Sequence, residues 1–331
     1  MLDGYSAVRK DAGIIDLSDR GKILVTGPDR SSFLNNLVTN DVASLKTGQG
    51  LHSLLLNNKG RILSDLRLFA LGDAILIDTD PVSRAKTVDL FNRFHITENV
   101  TIDDRSEAWS LLSIQGPASA KHIANLTGES AIPTTEYSVI PSSIGSAEII
   151  VARHSRTGET GYDLWGPCEP LTNLWKRLVE EKVISPIGSD ALDVLRLEAG
   201  IPVYGQDMGE ENIALEVNLK DAVSFTKGCY PGQEVVARAT YIGKLNKTLQ
   251  GILAENQTRL KKGDLLKADS KQVGTVTSAA QSPTLGKTIA LGYVHRDYAK
   301  PGTRLEIREG DGRVYGEIVE LPFIRKNVSN S

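Results

Sequence analysis

The sequence predicts an α+β protein built of two related α+β modules, followed by a smaller all-β domain. Three observations predict it. A strand–glycine–proline–helix joint occurs twice at a fixed offset, and each joint runs on into strand-like sequence. From about Gln250 helical periodicity gives way to short β-prone runs separated by Gly, Pro and Asp. At 331 residues the chain is too long for one ordinary core, which agrees with two or three domains.

The first joint is Ile23-Leu24-Val25-Thr26-Gly27-Pro28, a strand running into a helix with Phe33, Leu34, Leu37 and Val38 as its apolar stripe. Leu111-Leu112-Ser113-Ile114-Gln115-Gly116-Pro117 repeats the layout, followed by Ile123 and Leu126. The offset is 89 residues from Gly27 to Gly116 and again from Leu37 to Leu126. Proline suits the first turn of a helix, where its missing N–H would have no partner anyway. The spacing is too long for a solenoid repeat, so it reads as two related modules; chance recurrence of a common joint is the competing explanation. In the first module Leu51–Leu56 and Ile62–Leu71 flank a hairpin-like turn, Asn57-Asn58-Lys59-Gly60. Ala74–Ile77 adds a strand, and Pro81 opens a helix carrying Val82, Ala85, Val88 and Phe91. In the second, strands Ala147–Ala152 and Tyr162–Trp165 precede a helix with Leu171, Leu174, Trp175, Leu178 and Val179 on one stripe. The terminal domain is expected from Val273–Val276, Ile289–Val294, Arg304–Ile307 and Val314–Val319, with a polar, mobile tail over Arg325–Ser331.

Composition excludes several function classes. Hydrophobic residues make up 40% and charged ones 24%, ordinary for a soluble globular protein. The formal net charge of −3 gives no global positive field for nucleic acid, so direct nucleic-acid binding is not expected, although a local basic patch stays open. With only Cys168 and Cys229, disulfides are not the design, and a reducing compartment is the easier reading. The opening Met1-Leu2-Asp3-Gly4 has no charged stretch leading into an apolar one, and no uncharged apolar run approaches a membrane span; a cytoplasmic location is expected. Phosphate-loop, dinucleotide, His-Glu-x-x-His and Cys-x-x-Cys signatures are all absent. Two cysteines cannot supply four thiolates for an iron–sulfur cluster, the five histidines are scattered, and no resident metal is expected.

The segment from Lys227 to Arg238 is unusual on physical grounds. It packs two glycines, a proline and a lone cysteine into a turn before Val235-Val236-Ala237. Glycine permits close backbone approach, which suits a loop holding a ligand. Across Lys220–Lys247 five bases (Lys220, Lys227, Arg238, Lys244, Lys247) face two acids (Asp221, Glu234), a local balance of +3 that favours an anionic ligand or partner. Lys227 stands two residues before Cys229, where a cation favours the thiolate. The bland alternative is a buried cysteine under a tight turn.

Lys227-Gly228-Cys229-Tyr230-Pro231-Gly232-Gln233-Glu234, followed by Ala237-Arg238, resembles the Lys-Gly-Cys-aromatic-x-Gly-Gln-Glu motif of the YgfZ family of folate-binding proteins. That motif distinguishes the family from the related glycine-cleavage T-proteins. Similarity to the T-proteins covers nearly the whole chain. Asn58-Lys59-Gly60-Arg61-Ile62-Leu63-Ser64-Asp65-Leu66 is similar to a stretch reading Gly-Gly-Ile-Leu-Asp-Asp-Leu there, and Thr157-Gly158-Glu159-Thr160-Gly161-Tyr162-Asp163-Leu164 to Thr-Gly-Glu-Asp-Gly-Phe-Glu-Ile. Leu195-Arg196-Leu197-Glu198-Ala199-Gly200 matches Leu-Arg-Leu-Glu-Ala-Gly, and Gly274–Ser278, Ser282-Pro283 and Leu291–Val294 resemble the terminal barrel.

The resemblance implies a T-protein-like fold in which two related α/β modules with mainly antiparallel sheets and a C-terminal β-barrel surround a central pocket for tetrahydrofolate or a derivative. Its domains would be 1–105, completed by 185–245; 106–184; and 246–331. Asp65 would stand at the aspartate that assists aminomethyl transfer, beside Ser64 instead of a second aspartate. Asp163 would be the pterin-holding carboxylate, and a carboxylate suits a pterin's paired N–H donors. Leu192 stands where the T-proteins carry a folate-contacting arginine. Glu198, Lys227 and Arg238 are further folate-binding candidates, and Cys229 would be the reactive thiol on which function turns. On strand alternation Asp65 shares a face with Leu63, Arg67 and Phe69, forming either a surface ion pair or a group that points into a cavity. Glu198 sits at the edge of a helical arc of Leu192, Leu195 and Ala199, where a water-exposed rim position is the ordinary explanation. The implied function is a folate-binding accessory protein for iron–sulfur cluster assembly or repair, supporting tRNA thiolation, with iron–sulfur proteins or assembly factors as partners. The alternatives are a tetrahydrofolate-dependent aminomethyltransferase of glycine cleavage and a non-enzymatic scaffold; whether the chain is an enzyme at all stays open.

Overall fold

Successive hairpins build the first module. A computed structural model of the protein describes residues 2–128, 132–241, 245–309 and 312–325; Lys244 and the tail past Arg325 lie outside them. The chain enters through helix α1 (Tyr5–Lys10) and strands β1 (Gly13–Asp16) and β2 (Gly21–Thr26), then helix α2 (Arg30–Leu37). Strands β3 (Gly50–Leu56), β4 (Ile62–Ala70) and β5 (Ala74–Thr79), helix α3 (Pro81–Phe94) and strand β6 (Thr101–Asp104) follow. Five of these strands form an antiparallel sheet in the order β3-β4-β5-β2-β6.

The second module contains β7 (Trp109–Gln115), α4 (Ser119–Thr127), β8 (Val139–Ile144), β9 (Ala147–Arg153), β10 (Gly161–Pro167), α5 (Cys168–Glu180) and the two-residue β11 (Ser185–Pro186). Its sheet has the order β11-β1-β7-β10-β9-β8, so β1 crosses over from the N-terminal segment expected in the first module. Helix α6 (Ser189–Glu198) then leads into a long return segment that packs on the first module: Ile62 N–H donates to Asn212 O, and Thr39 Oγ1 to Ala222 O. Helix α7 (Gln233–Tyr241) precedes a closed antiparallel barrel. Its strands are β12 (Lys247–Ala254), β13 (Leu265–Ala268), β14 (Lys271–Ser282), β15 (Lys287–His295), β16 (Arg304–Glu309) and β17 (Gly312–Val319), in the order β12-β15-β14-β13-β16-β17. The first two of these, β12 and β13, carry no marked β-prone run and escape the sequence pattern.

The repeated joint has one geometry in both modules. Gly27 (φ 101°) and Gly116 (φ 136°) each turn a strand into a helix. A Cβ on Gly27 would lie 2.2 Å from Asn99 O, and one on Gly116 would lie 2.4 Å from Asp11 O. Each of these carbonyls also accepts a backbone N–H two residues past its glycine, from Asp29 and Ala118. The prolines fall one residue before the N-caps Asp29 and Ala118, not in the first helical turn, because the glycine needs a turn residue after it. Helix α3 also departs from expectation. Val82 is 71% exposed and Ala85 faces solvent, while Ser83, Thr87 and Phe91 are buried. The hydroxyls can go inside because Ser64, Thr79, Ser83 and Thr87 bond to one another.

Separate apolar clusters fill the first module around Phe33 and Phe91, the second around Ile114 and Leu174, and the barrel around Ile252 and Ile307. Between the sheets, Phe69 and Leu76 meet Leu111, Ile150 and Trp165; the Phe69 and Trp165 rings stand 5.1 Å apart. This contact fixes one sheet against the other and sets the position of the polar residues beside it.

Candidate functional site

Strand β4 carries the first site residue. Its alternation sends Ser64 toward α3 and Asp65 and Arg67 to the opposite face. Asp65 is 1% exposed. Arg67 Nη1 lies 2.6 Å from its Oδ2, and Nε2 of His52 lies 2.5 Å from its Oδ1. His52 reaches it because register sets His52 on β3 directly opposite Arg67. Burial pushes the Asp65 pKa up, but Arg67 and then His52 outweigh it and hold the carboxylate at about 2. The two sequence-level alternatives merge: Asp65 is ion-paired, buried, and on a cavity wall.

That cavity, of about 180 Å³, lies where both sheets meet α6 and the turn after it. The first module supplies Arg20, Asp65, Arg67 and Asp80, and the loop after β9 supplies His154, Ser155 and Arg156. Leu192, Arg196, Ile201 and Pro202 close the third side. Each arginine is held by carboxylates. Arg20 bridges Asp78 (2.6 Å) and Asp80 (2.8 Å), Arg156 bridges Asp78 (3.0 Å) and Asp163 (2.6 Å), and Arg196 reaches Asp207 (2.6 Å). Asp78 is pulled well below the carboxylate range, since Arg20 and Arg156 outweigh its burial. Burial pushes the Asp163 carboxyl up, against the pull of Arg156. Burial, then Arg156 and Arg67, push His154 well below its ordinary range, so its imidazole is neutral at pH 7. Its Nδ1 lies 2.9 Å from Glu136 Oε1, and its ring stacks on Tyr137 at 5.3 Å. The wall therefore offers an ionised carboxylate, a neutral imidazole and pre-oriented guanidiniums, a set suited to a flat, polar, hydrogen-bonding ligand. Arg67 Nε is buried with no acceptor among the described residues.

The structure brings some sequence-predicted residues together and separates others. Asp65 and Leu192 line the cavity; Asp163 stands behind Arg156, which takes both its oxygens. Glu198 is not a rim residue. It is fully buried, accepting from Tyr5 Oη at 2.8 Å and from Arg9 and Ser282, so it ties α1 and the barrel strand β14 to α6. The burial is possible because three donors compensate the charge.

The Lys227–Glu234 segment lies away from the cavity lining. Lys227 Nζ donates to Asn35, Val38 (2.7 Å) and Asn40 (3.0 Å) carbonyls at the end of α2, and sits 5.2 Å from the Tyr230 ring centre. Burial pushes its pKa down to about 8, with Asp41 pulling the other way. Tyr230 is buried among the return segment and the β3–β4 hairpin. Gly232 (φ 81°) presses on the Asn57–Gly60 turn; a Cβ there would lie 2.5 Å from Asn57 O and 2.8 Å from Gly60 Cα. Gln233 and Glu234 open α7, and Arg238 is exposed on it. Gly228 and Cys229 are left exposed on this anchored turn, so the buried-cysteine alternative is corrected. Among the described residues no group of three or more His, Cys, Asp or Glu is placed to hold a metal, and no helix is long and apolar enough to cross a membrane.

Sequence reasoning missed Arg20, Asp78, His154, Arg156 and Arg196 as parts of one network. Arg156 could have been found, since it directly precedes the Thr157–Leu164 stretch, and Arg196 lies inside Leu195–Gly200. Arg20 and Asp78 carry no local signal, because register across β2 and β5 joins them to the site.

Fold and site together define a two-module α+β protein closed by a β-barrel, with an ion-paired cavity where its parts meet. Residues 2–227 match the GCVT N-terminal domain, and residues 247–324 match the glycine cleavage T-protein C-terminal barrel domain. The chain belongs to the glycine cleavage T-protein family. Among curated relatives, an aminomethyltransferase of Halothermothrix orenii is 32% identical over 327 residues, covering 98% of this chain and 91% of its own. One from Streptomyces avermitilis is 33% identical, with 98% and 89% covered. The crystal structure of glycine cleavage system aminomethyltransferase T from Bartonella henselae superposes with a TM-score of 0.90 at 24% identity, covering 97% of this chain and 88% of that one, a likeness of fold.

Proposed function

We propose that this protein binds tetrahydrofolate, or a derivative of it, in the Asp65 cavity and acts as an aminomethyltransferase. The observation that carries this is Asp65, a buried carboxylate kept ionised on the cavity wall by Arg67 and His52. Support also comes from the relatives named aminomethyltransferase, which align with this chain nearly end to end. The donor set fits the ligand. Asp65 would accept from ring N–H groups, the Nε of Arg67 would donate to a ring acceptor, and Leu192, Ile201 and Pro202 would cover an apolar edge. Asp163 would act through Arg156, fixing its guanidinium at the wall. At about 180 Å³ the cavity is below the roughly 300–1,000 Å³ of whole-ligand sites, so it would take the ring system and leave the ligand's tail outside. When bound, tetrahydrofolate supplies the nucleophilic nitrogen that takes up the one-carbon unit; the chain's part is to orient it and to keep a fixed negative charge beside it. The test is glycine-cleavage activity with a lipoylated carrier. Activity that Asp65→Asn abolishes and Cys229→Ala leaves intact is expected; no activity in the wild type would overturn the assignment.

A second reading has its own observation. In the Lys227–Glu234 segment Lys227, Tyr230 and Gly232 all serve to anchor the turn, and Cys229 is left on it as an exposed free thiol beside Gly228. That supports a folate-binding accessory protein of the YgfZ type, working with iron–sulfur proteins or assembly factors and thereby in tRNA thiolation. Genetic complementation decides between them: this reading expects Cys229→Ala to fail to restore iron–sulfur enzyme activity and tRNA thiolation in a deletion strain, and full restoration would sink it.

A further inference from the structure

A second cavity, of about 600 Å³, opens where the β4–β5 turn (71–73) meets one end of strands β7, β10, β9 and β8 of the second sheet. No residue lines both it and the Asp65 cavity. Its volume falls within the range of about 300–1,000 Å³ usual for small-molecule sites, which favour junctions between domains. Its chemistry is one-sided. Trp109 and Pro141 give an apolar, partly aromatic surface with the buried Ile149 and Trp165 behind it, Asp73 and Glu148 are exposed carboxylates, and no cationic side chain lines it. Neither carboxylate has an ion-pair or hydrogen-bond partner within the described residues. The guanidinium of Arg30 comes near, but it is held by Gly27 O (2.8 Å) and Gly72 O (3.0 Å). A second observation points to a ligand. Trp165 is fully buried, yet its Nε1 donor has no acceptor among the described residues, and Ser142 Oγ in the same wall has no partner there either. Buried donors without acceptors are uncommon in native proteins.

We propose that this groove is a binding site for a small organic cation: an ammonium or guanidinium on an apolar stem with a hydrogen-bond acceptor beside it. The cation meets Asp73 and Glu148 and lies against the Trp109 ring, whose π-face attracts positive charge. The stem covers Ile149 and Pro141, and the acceptor serves the Ser142–Trp165 side. Lysine and arginine residues have this chemistry, whether as free derivatives or within a peptide. The site is independent of the folate reading, which uses none of these residues.

The test is calorimetric titration of the full chain with Nα-acetyl-lysine methyl ester, with its Nε-acetylated form as the uncharged control, and with a pentapeptide carrying one central lysine. The charged ester is expected to bind at least tenfold more tightly than the control. The Asp73→Asn/Glu148→Gln double variant should weaken it by about tenfold, as two exposed ion pairs allow. Trp109→Leu should weaken it by about two- to fivefold. Asp65→Asn should leave it unchanged, which separates this site from the folate cavity. A peptide that binds more tightly than the ester identifies a protein side chain as the source, and equal binding identifies a free cation. Absence of binding by both charged probes at 10 mM, or equal binding of the uncharged control, overturns the proposal.

Discussion

Replacing Asp65 by asparagine removes one charge from a fully buried pair and keeps the side chain's size. In the folded protein the Asp65 pKa is about 2 against an ordinary 3.8, because Arg67 and His52 outweigh its burial. At about 1.4 kcal/mol per pKa unit, that depression corresponds to roughly 2 kcal/mol of stability. Breaking a buried pair from one side costs about 3–5 kcal/mol in other proteins, because the remaining partner, here Arg67, is left uncompensated. A loss of about 3 kcal/mol at pH 7 is therefore expected. Since the folded pKa is the lower one, the Asp65 contribution is complete above the unfolded value of 3.8 and disappears as pH falls through about 2. Urea denaturation of wild type and Asp65→Asn, followed by tryptophan fluorescence at pH 7, 5 and 3, measures this. The difference should be constant from pH 7 to 5 and shrink by pH 3. A difference below about 0.5 kcal/mol at pH 7, or one that grows on acidification, would refute the reasoning from the Asp65–Arg67–His52 geometry.

Three further outcomes follow from the structure. Gly232→Ala places a Cβ against Asn57 O in a left-handed backbone, so thermal unfolding should show a loss of 2 kcal/mol or more, from roughly 1–2 kcal/mol for the conformation plus the clash. Glu198→Gln leaves Arg9 with Glu159 alone, and a loss of about 2–3 kcal/mol is expected, with faster amide exchange across Tyr5–Lys10 as α1 loosens. Cys229 is exposed while Cys168 is partly covered, so native-state alkylation read by mass spectrometry should label Cys229 first; equal labelling would contradict the exposed turn.

Much of the fold was legible because it rests on local pattern. The Gly27 and Gly116 joints are visible at the level of single residues, since their backbone tolerates no Cβ. The α+β class and the all-β character of the terminal domain follow from strand and helix periodicities, whereas its closure into a barrel came from the resemblance alone. What escaped depended on pairing between distant segments. The crossing of β1 into the second sheet leaves no mark in Gly13–Asp16, a run of four residues that fits either sheet. The helix α3 stripe held at Val88 and Phe91 but failed at Val82 and Ala85, because Ser83 and Thr87 look solvent-facing until Ser64 and Thr79 are there to bond them. At the site, Asp65 was identified from its flanking motif, while alternation left open a surface ion pair with Arg67 or a group pointing into a cavity, and only the packing makes it both paired and buried. Glu198 shows the same limit in reverse: helical geometry gave its angle, whereas only tertiary structure brings Tyr5, Arg9 and Ser282 to it.

The central claim is that Asp65 presents a fixed carboxylate to tetrahydrofolate. Its most direct test is equilibrium binding of tetrahydrofolate, under anaerobic conditions, to the wild type and to the Asp65→Asn variant at a temperature where both are folded. The account predicts saturable binding by the wild type, weakened at least about tenfold in the variant, as loss of a charge-assisted hydrogen bond of about 1.5–3 kcal/mol requires. No detectable binding by the wild type, or equal affinity in the two proteins, would contradict it.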